Sequence, residues 1–305
     1  MNICSICGLV HSFHECPSCR VVTRALPLSA ASLLPSAASP PPKPKVKSRF
    51  CYWSVADGEH GKMIRTTVTS ARRNGVTEDF HIWSDIDIPG ADVHKSGIFS
   101  KEHYLFKFKF LLNEVSKLDY EYFVWLDADN YFVRHPGDGI YDRLLRQNKW
   151  FVQLESNCTS KFVKRGDWWG CPIKWYPLLL KYHGVSAKTI YNCNAGFWVV
   201  RKEAIQEFYK KTTDFFDFCR NEMELLNFTE EAPLAYVGHF VDDPELNNFA
   251  ATQSTWACDW TGWYSNRLPD GKEWDFEDYM SGEKKKVNSA IVHCMRSKDA
   301  LVRGI

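Results

Sequence analysis

The chain lacks several things, and each absence narrows its reading. No run approaches the roughly 20 consecutive apolar residues of a membrane span, so no transmembrane helix is predicted. No charge of one sign dominates: 38 Lys and Arg face 37 Asp and Glu, a net +1. No global field therefore points to nucleic acid or a membrane surface. No GxGxxG follows the first apolar strand, and there is no P-loop, so a nucleotide held here needs something else for its phosphates. A disulfide framework is also missing. Of the 11 cysteines, four crowd the N-terminus; Cys51, Cys158, Cys171, Cys193, Cys219, Cys258 and Cys294 are scattered and odd in number. That usage predicts a reducing, cytoplasmic compartment. Asn157-Cys158-Thr159 and Asn227-Phe228-Thr229 match the glycosylation sequon, but a chain of this size gives about one or two such matches by chance.

What is present begins with length. A chain of 305 residues with 45% hydrophobic content suits one large α/β domain with a small appendage. Aromatics are abundant, at 12 Trp, 13 Tyr and 20 Phe; they fill cores, and their faces also stack on sugars and bases.

Residues 1–24 carry Cys4-Ser-Ile-Cys7 and Cys16-Pro-Ser-Cys19. Two such knuckles offer four thiolates to a structural Zn²⁺, which would supply the folding energy that so short a segment lacks. His11 and His14 lie between them as substitute ligands or exposed side chains. Modules of this kind bind nucleic acid, bind protein or brace a neighbour, and all three roles stay open. Residues 25–49 form a Pro-, Ala-, Ser- and Lys-rich linker, with Lys43, Lys45, Lys47 and Arg49 as phosphate contacts or solvated charges.

The domain at 50–305 is organised around Tyr120 to Pro136. Tyr122, Phe123, Val124, Trp125 and Leu126 predict a strand buried on both faces. It ends in Asp127-Ala128-Asp129, and carboxylates delivered there are costly unless a cation or a loop receives them. Two hard oxygen donors side by side suit Mg²⁺ or Mn²⁺, which would hold a diphosphate; the bland alternative is a solvated turn. Strands are further predicted at Phe50 to Ala56, Asp79 to Asp85 and Trp150 to Leu154. Helices are predicted at 60–73, ending at Asn74-Gly75, and at 101–117, with Tyr104, Phe108, Leu111, Leu112 and Val115 on one face. This order predicts a parallel, doubly wound sheet with right-handed crossovers. Later come the loop Asp167-Trp168-Trp169-Gly170, a turn at Asn194-Ala195-Gly196 leading into a strand, an amphipathic helix at 201–220, Asp242-Asp243-Pro244 at a helix start, the stretch Trp256 to Trp263, and a last short strand ending in His293-Cys294.

Together these landmarks resemble the GT-A nucleotide-sugar glycosyltransferases, most closely the family 8 type of glycogenin and bacterial galactosyltransferases. The resemblance spans about residues 50–298. It rests on Val55-Ala56-Asp57, on WLDADNYFVRHP, on NAGF at 194–197 with DDPELN at 242–247, and on His293 followed by Lys298. The family's Gly and Lys-Pro-Trp around the last histidine are absent. The resemblance implies a Rossmann-like, mostly parallel sheet, a divalent metal (Mn²⁺ or Mg²⁺) and a nucleotide-sugar donor, a UDP-sugar first. It implies metal ligands at Asp127, Asp129 and His293, and a diphosphate clamp at Lys298. It places Asp57 at the base or ribose, Lys107 or Lys109 at the donor, Asn194 and Gly196 in the sugar pocket, and Asp242 and Asp243 as the catalytic carboxylates. The zinc module and basic linker suggest a polymeric acceptor. One version is a hydroxymethylated base in phage DNA, flipped and stacked on the tryptophans; a cell-surface glycan or protein acceptor fits equally. Two readings from other classes stand beside this one: a zinc-bearing nucleic-acid or protein binding module on an inactive α/β domain, and a nucleotidyltransferase.

Overall fold

A computed structural model describes residues 48–95, 105–137, 148–159, 176–222, 229–240, 290–294 and 298–304, with Leu145 and short strand segments at 2–3, 10–11, 24–25, 167–168, 171–172, 274–277 and 284–287. The chain divides into two units, Met1–Val46 and Lys47–Ile305. In the first, Asn2–Ile3 pairs antiparallel with both Val10–His11 and Arg24–Ala25. Cys4, Cys7, Cys16 and Cys19, and with them the expected zinc site, lie outside the described residues.

The second unit is built on a six-stranded sheet. In chain order its elements are β1 (Phe50–Val55), α1 (Gly58–Arg73), β2 (Asp79–Ser84), β3 (Asp92–Lys95), α2 (Phe106–Asn113), β4 (Tyr122–Leu126), β5 (Asn130–Phe132), β6 (Trp150–Asn157), α3 (Tyr176–Tyr182), β7 (Tyr191–Arg201), α4 (Ile205–Asn221), α5 (Glu231–Gly238), β8 (Ile291–His293) and α6 (Lys298–Arg303). The strand order is β3-β2-β1-β4-β7-β6. β1 runs parallel to β2 and β4, and β2 parallel to β3, whereas β7 is antiparallel to both β4 and β6. β5 and β8 form a separate antiparallel ribbon.

The mixed α/β, mostly parallel sheet meets the expectation, and its details correct it. The sheet is not parallel throughout, because β7 runs between β4 and β6 with reversed direction. The predicted turn at Asn194-Ala195-Gly196 is instead an irregular passage inside β7, where the register with β6 shifts between Tyr191 and Trp198. The Asn194 carboxamide oxygen accepts the Gly196 N–H at 2.8 Å, a side chain standing in for a ladder partner. Of the helix expected over 101–117, residues 101–104 lie outside the described residues; the rest is helical over Phe106–Asn113 and then tightens into a 3₁₀ turn at Val115–Lys117. Arg49, expected in a basic linker, pairs with Glu121.

Strand alternation sorts the core into two layers. On one face Trp53, Trp125, Trp150 and Trp198 are fully buried against α2, α4 and α5. Trp125 stacks on Trp198 at 5.7 Å, and Trp198 on Phe208 at 5.4 Å. On the other face Tyr52, Phe80, Val124 and Val199 pack on Met63, Ile64, Val68 and Ala71 of α1. β4 is buried at all five positions, as its unbroken apolar run requires. None of Cys51, Cys158, Cys193, Cys219 and Cys294 is in a disulfide. Among the described residues no helix is long and apolar enough to cross a membrane.

Candidate metal and nucleotide-sugar site

The sheet order reverses between β1 and β4: from β1 the chain moves outward to β2 and β3, and from β4 the other way. A crevice opens at the carboxyl ends of strands at such a switch point, and ligands bind there. Asp57 follows β1 at that end and Asp127 follows β4. After Leu126 the chain leaves the sheet in a short turn that lays it onto β5. The turn is pinned from several sides. The Asp127 N–H donates to the Gly196 carbonyl at 3.0 Å. The Asn130 side chain donates to the carbonyls of Asp127 and Gly196 at 2.9 and 3.0 Å. The Thr67 hydroxyl of α1 donates to the Ala128 carbonyl at 3.0 Å. β8 then pairs with β5, setting His293 opposite Asn130.

This arrangement brings Asp127, Asp129 and His293 together, with one donor atom of each within 4.8 Å of the others. His293 Nε2 lies 2.9 Å from Asp129 Oδ1, and both side chains are nearly sealed from solvent. Lys298, the first residue of α6, reaches Asp129 Oδ2 at 3.1 Å with half its side chain exposed. Burial by itself pushes the Asp129 carboxyl up, but the His293 imidazole and the Lys298 ammonium override it and hold it well below the ordinary carboxylate range. Asp129 reciprocally raises Lys298.

Asp127 is served from the other side. Its Oδ1 accepts from Lys107 Nζ at 2.9 Å and from the Trp125 indole N–H at 2.9 Å. The Lys107 ammonium also lies 2.7 Å from Glu230 Oε1 and 4.9 Å from the Trp125 ring centre. Burial opposes the Lys107 charge, yet Asp127 and Glu230 hold the group above the ordinary lysine range. Lys109, two residues on, is exposed; of the two lysines considered, Lys107 is the one that reaches the site.

The residues fit a divalent cation. Two carboxylates and an imidazole are the hard and borderline donors that Mn²⁺ and Mg²⁺ accept. Gly196 backs the histidine: a Cβ there would stand 2.8 Å from His293 Cε1 and 2.8 Å from Asn194 Oδ1. A glycine at this point is what lets the imidazole come up to Asp129. Asn194 is buried beside it, so both residues expected in the sugar pocket adjoin the cluster. Asp57 is half-buried and makes no side-chain capping bond to α1. Asp242 and Asp243 lie outside the described residues.

Sequence reasoning missed Glu230 and Glu231. Both are buried where α5 begins. The Ala195 N–H approaches Glu231 Oε1 at 3.5 Å, and Glu231 Oε2 finds no hydrogen-bond partner among the described residues. Burial, then the neighbouring Glu230 charge, pushes the Glu231 carboxyl well above its usual range. A signal was available. Glu230-Glu231 precedes Ala-Pro-Leu-Ala-Tyr-Val-Gly, a helix with no polar face, and such a helix is buried all round and takes its first turn inside with it.

No protein-family model matches the chain, and no curated protein matches it by sequence. Among solved structures, a crystal structure of an active-site mutant of LgtC aligns with 81% of this chain and 87% of its own, at 13% identity and a TM-score of 0.48.

Proposed function

We propose that the chain is a metal-dependent GT-A glycosyltransferase that moves a sugar from a nucleotide-sugar donor, a UDP-sugar first, to an acceptor hydroxyl. The observation that carries this reading is the convergence of Asp127, Asp129 and His293 at the sheet's switch point, flanked by two lysines that already face the same carboxylates. Asp127, Asp129 and His293 would hold Mn²⁺ or Mg²⁺. When bound, that ion supplies Lewis-acid stabilisation of the diphosphate leaving group.

The protein's own groups do the rest. Lys298 is partly exposed beside Asp129, so its ammonium is within reach of a diphosphate and offsets the negative charge that grows as the glycosidic bond breaks. Lys107 neutralises Asp127 and fixes its orientation. Asp57 meets the nucleoside, and Asn194 with Gly196 lines the sugar. Breaking the bond leaves an oxocarbenium-like centre, which a nearby carboxylate stabilises. Glu230 joins Asp242 and Asp243 as a candidate for that role, whereas burial and the Glu230 charge favour the neutral form of Glu231. The acceptor hydroxyl bonds to the anomeric carbon as the bond to the diphosphate oxygen breaks, and its proton passes to that carboxylate or to the departing nucleoside diphosphate.

The test is a thermal-shift screen of nucleotide sugars with Mn²⁺, run beside Asp129→Ala. A donor at one hundred times its dissociation constant adds about 2.7 kcal/mol of stability. Stabilisation by one donor that is lost in Asp129→Ala supports the reading and names the sugar. Acceptors would then be compared, with hydroxymethylated DNA against glycan and protein. No shift with any donor sinks the transferase reading.

A further inference from the structure

A second concavity lies on the side of α1 that meets α6. Its volume is about 320 Å³, and its walls include Lys62, Arg65 and Arg73 of α1, Arg303 of α6 and Tyr131 of β5. Residues 62, 65, 66, 69 and 73 recur at helical spacing, so one stripe of α1 forms a wall of it. The seat of α6 fixes the opposite wall. Ala300 and Leu301 are buried against the domain, and the Thr66 hydroxyl donates to the Leu301 carbonyl at 2.7 Å.

The charge is one-sided. Four cations surround the cavity, and among the described residues no carboxylate lies within ion-pair distance of any of them. Each helix carries one acid, Glu59 on α1 and Asp299 on α6, and neither lines the cavity. Among the described residues Arg65 and Arg303 donate to backbone carbonyls, those of Asp87 and Asp299, and the exposed Asp87 carboxylate, which pairs with Lys95, feels the Arg65 charge only as a minor influence. Arg73 faces the Tyr131 hydroxyl, where its charge opposes the upward push that burial gives the phenol. In a chain of net charge +1, cations are ordinarily interspersed with acids. Four held around one hollow repel one another until an anion arrives. Guanidinium forks match phosphate oxygens two at a time, and the Tyr131 hydroxyl adds a neutral donor.

We propose that the cavity between α1 and α6 is a binding site for a small ligand carrying a phosphate or diphosphate group. Size separates it from a track for a polymer: the volume is at the lower end of small-ligand pockets, and the cations ring a hollow. The position gives it reach. Tyr131 lies two residues beyond Asp129 in β5, and Arg303 lies on the same short helix as Lys298. A ligand drawing Arg303 toward α1 therefore steadies the helix that presents Lys298 to Asp129.

Calorimetric titration of the full chain with inorganic pyrophosphate, with no divalent cation added, tests this. Saturable binding at one site is expected. It should weaken by roughly tenfold or more in the double variant Arg65→Ala, Arg303→Ala, which removes two charged donors, and persist in Lys298→Ala. Both arginines are exposed, so the double variant should keep its thermal melting profile, and that is checked alongside. Four results overturn the assignment: no saturable binding; binding that survives the double variant but is lost in Lys298→Ala; heat that chloride at matched ionic strength reproduces; or an oligonucleotide that binds the cavity's cations while pyrophosphate neither binds nor competes.

Discussion

Two regions less than one helix apart handle charge in opposite ways. At the carboxyl end of β4, Asp129 is shared by His293 and Lys298, and Lys107 is shared by Asp127 and Glu230. Each of these charges, the buried Asp129, Lys107 and Glu230 included, has a partner of opposite sign. Between α1 and α6, four exposed cations line a hollow with no acid among the described residues of its walls. The difference teaches what each can tolerate. Buried charges cannot wait for a ligand, because an unpaired one costs several kcal/mol. They are therefore prearranged with partners that an incoming cation and a diphosphate can take over. Exposed cations keep their hydration and can wait.

The sharpest way to break this contrast is to take one partner from the buried set. Lys107→Met keeps the apolar stem and deletes the ammonium, leaving the buried Glu230 and the partly exposed Asp127 without their shared cation. Removing one member of a buried pair costs about 3–5 kcal/mol. Urea denaturation should show that loss at neutral pH. It should be partly restored when Glu230→Gln is added, which removes one of the two stranded charges. A loss unchanged in the double variant would assign Lys107 to packing instead.

A smaller effect is expected where shape rather than charge supports the cluster. Gly196→Ala puts a methyl within 2.8 Å of both the His293 ring and the Asn194 carboxamide. Overpacking of this kind costs about 1–3 kcal/mol. The ring must move away from Asp129, so affinity for Mn²⁺ should fall by about 10- to 100-fold, as it does when a ligand loses its support. Calorimetry of Mn²⁺ binding separates the two effects. A stability loss with unchanged Mn²⁺ affinity would remove His293 from the ligand set.

How much of this was legible beforehand follows from the range of the signals. β4 could be read because five consecutive apolar residues have few other places to go. Asp127 and Asp129 could be read because nothing but a cation or a turn explains carboxylates at that strand's end. His293 was reached through family resemblance, since its meeting with Asp129 spans 164 residues and no local pattern encodes it. The reversed β7 was not legible. Its side chains, buried on both faces, read the same whichever way the strand runs. Choosing between Lys107 and Lys109 needed the rotation of α2, which is set by Phe108, Leu111 and Val115. Glu230 and Glu231 escaped because an acidic pair before a proline reads as a surface helix start, and only the apolar character of all that follows says otherwise.

Glu231 sharpens the comparison further, because it is the buried acid without a cation of its own. Burial and the Glu230 charge raise its carboxyl. Its contribution is therefore fully favourable below the usual carboxyl range and is lost as pH rises toward the raised folded value. Asp129 has the opposite sign: depressed by His293 and Lys298, it stabilises above the usual range and loses that contribution as pH falls. Glu231→Gln should remove the first slope and leave the second. The variant should gain about 1 kcal/mol at neutral to alkaline pH, the order of cost for a buried polar atom without a partner, and gain little near pH 4. A gain of equal size at both pH values would mean that the carboxyl is not raised.

The smallest effect is expected at a pair that resembles the buried ones only in its distances. Arg49 meets Glu121 through two guanidinium nitrogens, at 2.8 and 2.5 Å. Both side chains are about half exposed, at 52% and 54%. The Arg49 guanidinium lowers the Glu121 carboxyl, so any stability that the pair adds is present above the usual carboxylate range and fades as the carboxylate protonates. Water and salt already solvate both ends, and exposed pairs contribute about 0.2–1 kcal/mol. Glu121→Gln should therefore move the urea midpoint only slightly, and 1 M salt should shrink the difference further, since the screening length falls to about 3 Å there. Lys107→Met should lose nearly as much stability in 1 M salt as in dilute buffer, because Lys107 and Glu230 are buried and bulk salt screens a buried pair far less than a surface one. If salt erased both losses alike, the cluster at Asp127 would be as wet as the surface, and the contrast between the two regions would fail.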